Sequence, residues 1–517
     1  MKVGIKILRN IFSMWSYYIL AMLIGFFLMP FMILRLGQEL YGMWMLALSL
    51  IGYMFLLDFG LAHSATKYIA EYKTFNDQTK LNRMMSTFFF SYILLGLLII
   101  MIAGFLAIFF DSFFNVNVGS LSILDLKLCV FILGLSLALT FCFTPFTGLI
   151  KGWQRYDLTS LAEFVVLITK TGLIVLALIL GFDLVALALV TLISTLLGQL
   201  CRLVFARKLN PNMKISIHLF DKLMLKKIFN YSIFSFIISS SSLVLFNLGQ
   251  VIIGVFLSPV MVTFYVVGAR LPLLIRPFVS AITGVLVPTV SDFNAKKNRQ
   301  RIEQLLISGT KYSLIVVFPV AIFLIAFRQP FIELWIGKGY ELSMKVLAIL
   351  FFTQIIYLSQ NAANSILFGL GKLKFKAILS VSEIAVCIIL SIVLVKRYGV
   401  IGVALALAIP LSITNLLIFP KYICRVIKTP FFNYIKSTVL ILLPITLVYI
   451  FGIFYLRKFL VPNSLILLGL EFAICVLFYL VAAYCCGLKK WERESFIGYA
   501  KIFLRAGDSR KKEYAKL

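Results

Sequence analysis

Three cations, Lys170, Arg270 and Arg276, fall inside long apolar runs of this chain. On insertion scales an ionised side chain costs about 2.5–3.5 kcal/mol at the centre of a membrane helix, so each needs a partner or a ligand. An arginine offers a planar fork that matches phosphate oxygens in pairs, whereas a lysine offers a point charge. Glu163 precedes Lys170 by seven residues, on the same helix face. Two readings of Lys170 follow: an ion pair with Glu163, or a cation facing an anionic ligand. Arg270 has no carboxylate within a turn or two, which favours the ligand. Arg276 lies about two turns further on and either joins that site or snorkels towards headgroups. Asp58, Glu163 and Glu383 are the carboxylates placed well within the first twelve apolar runs, and Glu471 lies in the last. Each can carry a proton, bind a coupling cation, or pair with a neighbouring base.

Uncharged polar residues form two stripes. Gln354, Tyr357, Asn361, Asn364 and Ser365 fall within about 100° of arc on an ideal helix, and Ser232, Ser235, Ser239, Ser242 and Gln250 within about 80°. The serines also suit close helix packing. Three amides and a tyrosine on one face suit sugar hydroxyls and ring faces, or a water-filled cavity. Other chemistry finds no residues to carry it. His63 and His218 are far apart, so no zinc-type cluster is expected. There is no Walker A loop, no Gly-x-Ser-x-Gly and no His-Glu-x-x-His, so neither ATP hydrolysis nor covalent catalysis is expected, and no cofactor. The eight cysteines lie in apolar runs or at their cytoplasmic ends, which makes an external disulfide unexpected.

The elements that must position these residues are membrane helices. The chain is 62% hydrophobic and 13% charged, about half the charge of an ordinary soluble protein. Apolar runs predict fourteen spans, roughly 11–34, 40–62, 84–110, 123–149, 156–181, 183–206, 228–257, 259–288, 306–328, 343–369, 375–395, 399–423, 432–456 and 464–487. With the N-terminus inside, 37 of the 49 Lys and Arg fall in cytoplasmic segments and 9 in outside loops. That asymmetry is what the positive-inside rule expects, with both termini cytoplasmic. No cleavable signal is read at the start. The net charge of +29 is dispersed over the inner loops, so no nucleic acid is expected, although the basic tail can rest on anionic membrane lipids. Span eight carries Pro272, Pro277 and Pro288 and should be bent or locally unwound.

The chain also repeats itself. Phe12–Ile19 aligns with Tyr231–Ile238, Gly152–Tyr156 with Gly371–Phe375, and Gly181–Leu189 with Gly399–Leu407, at a near-constant offset of six spans. The expected architecture is all-α and polytopic, with two six-helix lobes of like orientation related by a pseudo-twofold axis along the membrane normal. The first lobe is 1–208, a basic cytoplasmic linker 209–227, and the second lobe 228–424. Two further spans occupy 425–488 and a basic cytoplasmic tail 489–517. Paired lobes in a membrane are the architecture of alternating-access transport.

Several segments resemble one family. Arg35-Leu-Gly-Gln-Glu-Leu-Tyr-Gly-Met-Trp44, Leu57-Asp-Phe-Gly-Leu61 and Lys67-Tyr-Ile-Ala70 resemble the amino-terminal signature of bacterial Wzx-type O-antigen and capsule repeat-unit flippases. These belong to the multidrug/oligosaccharidyl-lipid/polysaccharide superfamily. Gly148-x-x-x-Gly-x-x-Arg-Tyr156 and Tyr265-x-x-x-Ala-Arg-Leu271 with Pro288 are similar to that family too. The resemblance implies a MATE-like pair of lobes that moves an undecaprenyl-pyrophosphate-linked oligosaccharide across the bacterial plasma (inner) membrane. It also implies possible contact with polysaccharide polymerase machinery. Arg270, Lys170, Arg276, Gln354, Tyr357, Asn361, Asn364 and Gln250 are then the expected substrate-binding residues, and Asp58, Glu163 and Glu383 the ion-coupling candidates. The alternatives are a cation-coupled multidrug exporter, a lipid II flippase, and a membrane glycan polymerase or ligase. The short outside loops speak against the last. Span one is apolar up to Arg35 and lacks the arginine-rich start of the lipid II flippase.

Overall fold

The computed structural model describes residues 2–75, 77–113, 123–459, 462–488 and 492–493. The side chains of His63, Ser232 and Ser235 and nearly all of the basic tail lie outside the described residues. Among the described residues every regular element is helical.

Twelve stretches are long and apolar enough to cross a membrane, and two of them are too long for one crossing. Ser13–Asp58 runs for 46 residues and Lys374–Ile427 for 54. At 1.5 Å per residue the shorter covers about 70 Å, more than twice a hydrocarbon core of about 30 Å. Each is interrupted by a glycine outside helical geometry, Gly37 at φ 79° and Gly399 at φ 56°. A Cβ on Gly402 would meet the carbonyl oxygen of Leu394 at 2.1 Å. Eight residues along a straight helix would separate them by about 12 Å, so the chain folds back at Gly399. Dividing both stretches at these glycines gives the fourteen crossings read from the sequence. Gly181, the repeat counterpart of Gly399, also adopts positive φ, at 80°.

Span eight is in three pieces, Pro259–Leu274, Arg276–Gly284 and Leu286–Ala295. Its prolines lack N–H groups, and their rings clash with the preceding turn. Pro277 sits in the first turn of the middle piece, where a missing N–H costs least. The expected bend is therefore present. Span ten is also broken, with Gln360 between Glu341–Ser359 and Asn361–Leu370.

The chain forms two compact units. One is Met1–Gly268 with Leu373–Pro410, and the other Ala269–Lys372 with Leu411–Leu517. The core of the first gathers Phe88, Tyr92 and Phe141. In it Gly42 lets span two approach the start of span eight, since a Cβ there would lie 1.8 Å from the Pro259 carbonyl oxygen. The second is built on the helix Arg299–Ala326, with Phe323 and Phe327 stacked at 4.5 Å. The two added spans dock on that helix: Tyr449 donates to the Pro319 carbonyl at 3.2 Å, and Phe472 meets Phe323 edge-on at 5.3 Å.

Candidate functional site

The three carboxylates all have partners. Asp58 ends span two in a 3₁₀ turn, just before Phe59 and Gly60, both left-handed. The Tyr92 hydroxyl donates to its Oδ1 at 2.5 Å, and the Ala62 N–H at the start of the next helix donates to Oδ2. Glu383 lies 3.5 Å from Lys376, one of its own helix's bases, and both are buried. Glu163 pairs with Arg202 from the helix Leu184–Leu209. This decides one of the two readings of Lys170: Glu163 is not its partner. The cause is reach: Lys170 is nearly two turns along the same helix, while Arg202 approaches from a neighbouring one. Lys170 itself is partly buried and has no hydrogen bond or ion pair among the described residues.

The second unit brings together residues from spans eight and ten. Arg276 opens the middle piece of span eight, and its guanidinium lies over the Tyr357 ring, 5.4 Å from the centroid. A cation over an aromatic face is attracted by the ring quadrupole. One turn on, Asn361 Nδ2 donates to Ser280 Oγ at 3.3 Å. Two breaks thus face each other across a polar seam, at Ile275 in span eight and Gln360 in span ten. Behind it Gln354 Oε1 and Asn364 Oδ1 are buried and accept no hydrogen bond among the described residues. Unsatisfied buried acceptors are rare in folded proteins and call for a water or a ligand group. Arg270 precedes the seam on span eight. It is exposed, with no ion pair or hydrogen bond among the described residues. Gln250 lies in the first unit, partly buried in span seven. Ser242, on the same stripe, bonds back to the Ile238 carbonyl at 3.2 Å, as a packing serine does.

The sequence did not point to the most deeply buried ion pair. Lys311 Nζ donates to both oxygens of Glu492, at 2.9 and 2.7 Å, and neither side chain is exposed. Beside it Thr310 Oγ1 contacts the Tyr434 hydroxyl at 3.2 Å, and Tyr434 reaches Gln360 Oε1 at 3.5 Å. The two sets of contacts adjoin at Thr310 and Lys311, and the second reaches the break in span ten.

The fold has counterparts. The fold matches a lipid II flippase, MurJ, in an inward closed conformation, with a TM-score of 0.67 at 18% identity over 92% of this chain and 99% of that one. A putative O-antigen transporter of Shigella flexneri is 22% identical, over 80% of this chain and 97% of that protein. A probable low-salt glycan biosynthesis flippase, Agl15, of Haloferax volcanii is 24% identical, over 37% of this chain and 41% of that one. The MatE family model matches residues 232–394. The model described as polysaccharide biosynthesis protein matches residues 7–294, more than half of the chain, and the chain belongs to that family.

Proposed function

We propose that this protein is a flippase that moves polyprenyl-pyrophosphate-linked oligosaccharide repeat units across the bacterial plasma membrane by alternating access of two lobes, with both termini cytoplasmic. The product would feed O-antigen, capsule or exopolysaccharide synthesis, with polymerase machinery as a downstream partner. The observation that carries the reading is that one broken span holds both an exposed Arg270 and Arg276, the latter set over the Tyr357 ring of a second broken span. A pyrophosphate carries at least two negative charges, and its bare passage through hydrocarbon is prohibitive. Arg270 offers a fork with no competing carboxylate, while Arg276 is already oriented by Tyr357. The amides Gln354, Asn361 and Asn364 supply donors and acceptors for a hydrated glycan. Lys170 and Gln250, a cation and an amide of the first unit, are separate candidates. The polyprenyl tail can remain in lipid.

The chemistry needed is desolvation and binding, with no bond made or broken, so the protein acts as a transporter and not as an enzyme. Coupling to a proton or Na⁺ through Asp58, Glu163 or Glu383 belongs to the same proposal, and amide replacements in a liposome flipping assay test it.

Arg270→Ala should abolish surface glycan while protein level and membrane insertion stay normal. Arg270→Lys should recover only part, because a point charge does not reproduce the bidentate geometry. Analysis of surface glycan and of lipid-linked intermediates in the native host reads both. Full glycan display by Arg270→Ala would remove Arg270 from the mechanism.

A further inference from the structure

The first unit contains a cavity that the residues discussed above do not explain. Its volume is about 170 Å³, and its wall comes from spans one, four and five. An apolar cavity of about 150 Å³ takes one six-membered ring, so this one has room for a single ring too. Its wall, however, sets several polar groups beside its apolar surface. Tyr17 and Tyr18 enter from span one, Lys151 from span four, and Tyr156, Ser160 and Glu163 from span five. Tyr17 is fixed edge-on against Phe164 at 5.7 Å. Glu163 gives Oε1 to Arg202, yet its side chain stays 40% exposed, which leaves the second oxygen to the cavity. Lys151 has no hydrogen bond or ion pair among the described residues.

The composition of the wall selects a class of ligand. A lipid tail would leave the ammonium, the carboxylate and the hydroxyls without partners. A metal ion would meet Lys151 and Arg202 against one carboxylate. A sugar ring satisfies the set: hydroxyls donate to Glu163, accept from Lys151 and exchange with tyrosine and serine hydroxyls, while an aromatic face covers the ring's C–H surface. The positions along the chain agree on depth. Tyr17 follows the start of span one, Lys151 is at the end of span four, Glu163 is two turns into span five, and Arg202 is two turns from the end of span six. Under the proposed topology all four ends are cytoplasmic, so the cavity lies at the side from which a lipid-linked oligosaccharide would be loaded.

We infer that this cavity is a subsite for one sugar residue of the transported oligosaccharide, held by Lys151 and Glu163 against Tyr17 and Tyr18. The inference rests on the flippase reading and adds to it a place where the glycan is recognised. It is tested on the full chain in lipid nanodiscs by saturation-transfer NMR. The probes are methyl glycosides of a neutral hexose, an N-acetylhexosamine and a hexuronic acid. At least one should receive magnetisation from the wild type, and Lys151→Gln and Glu163→Gln should each weaken that binding about fivefold, as for a charge-assisted hydrogen bond exchanged for a neutral one. No transfer to any probe, or transfer unchanged in both variants, would overturn the subsite. A flipping assay in liposomes separates this from the parent reading. Lys151→Gln should raise the half-saturating concentration of lipid-linked oligosaccharide about fivefold and leave the saturated rate within about twofold. Wild-type flipping with an unchanged Lys151→Gln profile would sink the subsite and spare the flippase. Absence of flipping by the wild type would sink the flippase itself. Ser160→Leu, which fills the cavity without touching a charge, should reproduce the loss of sugar binding at an unchanged thermal midpoint.

Discussion

The two units each hold an ion pair between helices, and the pairs differ in what surrounds them. In the first unit Arg202 is buried and Glu163 half open to a cavity; in the second Lys311 and Glu492 are both fully enclosed. The enclosed pair uses both carboxylate oxygens on one ammonium, so nothing is left over for a ligand. The open pair uses one oxygen and keeps the other accessible. The difference teaches that an ion pair within a membrane span is not by itself a transport site. What decides is whether a polar atom remains in contact with solvent or cargo after the pair has formed. By that criterion the first pair is the one proposed for binding, and the second ties Glu492, beyond the last span, to the helix Arg299–Ala326. Arg493 supports this anchoring role, since its Nε donates to the Leu488 carbonyl at 3.0 Å and so caps the last span.

The largest expected effect lies in the enclosed pair. Lys311→Ala should leave Glu492 buried without a counter-ion, at a cost of about 3–5 kcal/mol. The thermal midpoint of the purified protein should fall sharply, and yield with it. Replacing both members, Lys311→Met with Glu492→Leu, should recover most of the loss, because an apolar pair needs no desolvation. A single variant as stable as the wild type would show that water reaches this pair, and the contrast between the units would then collapse.

A smaller effect is expected in the open pair. Glu163→Ala leaves Arg202 buried, but its vanished partner was 40% exposed and the site can admit water. Screening of that kind lowers the cost to about 1 kcal/mol. Glu163→Gln should cost less still, since a neutral acceptor remains for Arg202. Differential scanning fluorimetry of both variants beside Lys311→Ala checks the order. Equal losses in the two units would break the comparison.

These pairs also mark where the sequence stops being informative. The fourteen spans were legible because each is a long apolar run and the basic residues gather in alternate loops, and the bend in span eight because three prolines in one span leave few other outcomes. The partner of Glu163 was not, because a single sequence shows only neighbours along one helix, and Lys170 was the base at helical spacing. Arg202 is 39 residues away and meets Glu163 only after spans five and six have packed. Lys311 stands among Ser308, Thr310 and Ser313, so it reads as a loop charge at a span end, and its counter-ion is 181 residues on. The polar face of span ten was legible as a stripe, but its break at Gln360 was not. No proline or glycine marks that break, and Gln360 is held by Ser359 and Tyr434.

Arg276 is the intermediate case, and it gives the smallest and most discriminating prediction. Its partner is a ring and not a carboxylate, so the guanidinium keeps a full positive charge to offer while its orientation is held. An attraction of this kind is worth about 0.5–2 kcal/mol according to how far water is excluded. Tyr357→Phe preserves the ring and should flip lipid-linked oligosaccharide at a rate near that of the wild type. Tyr357→Leu removes the quadrupole and should raise the half-saturating concentration a fewfold, with little change in thermal midpoint, because Arg276 can still reach water. The opposite ranking would mean that the hydroxyl is the working group and that the ring merely packs. Arg276 would then resemble the sealed lysine of its own unit more than the open cation beside it on span eight.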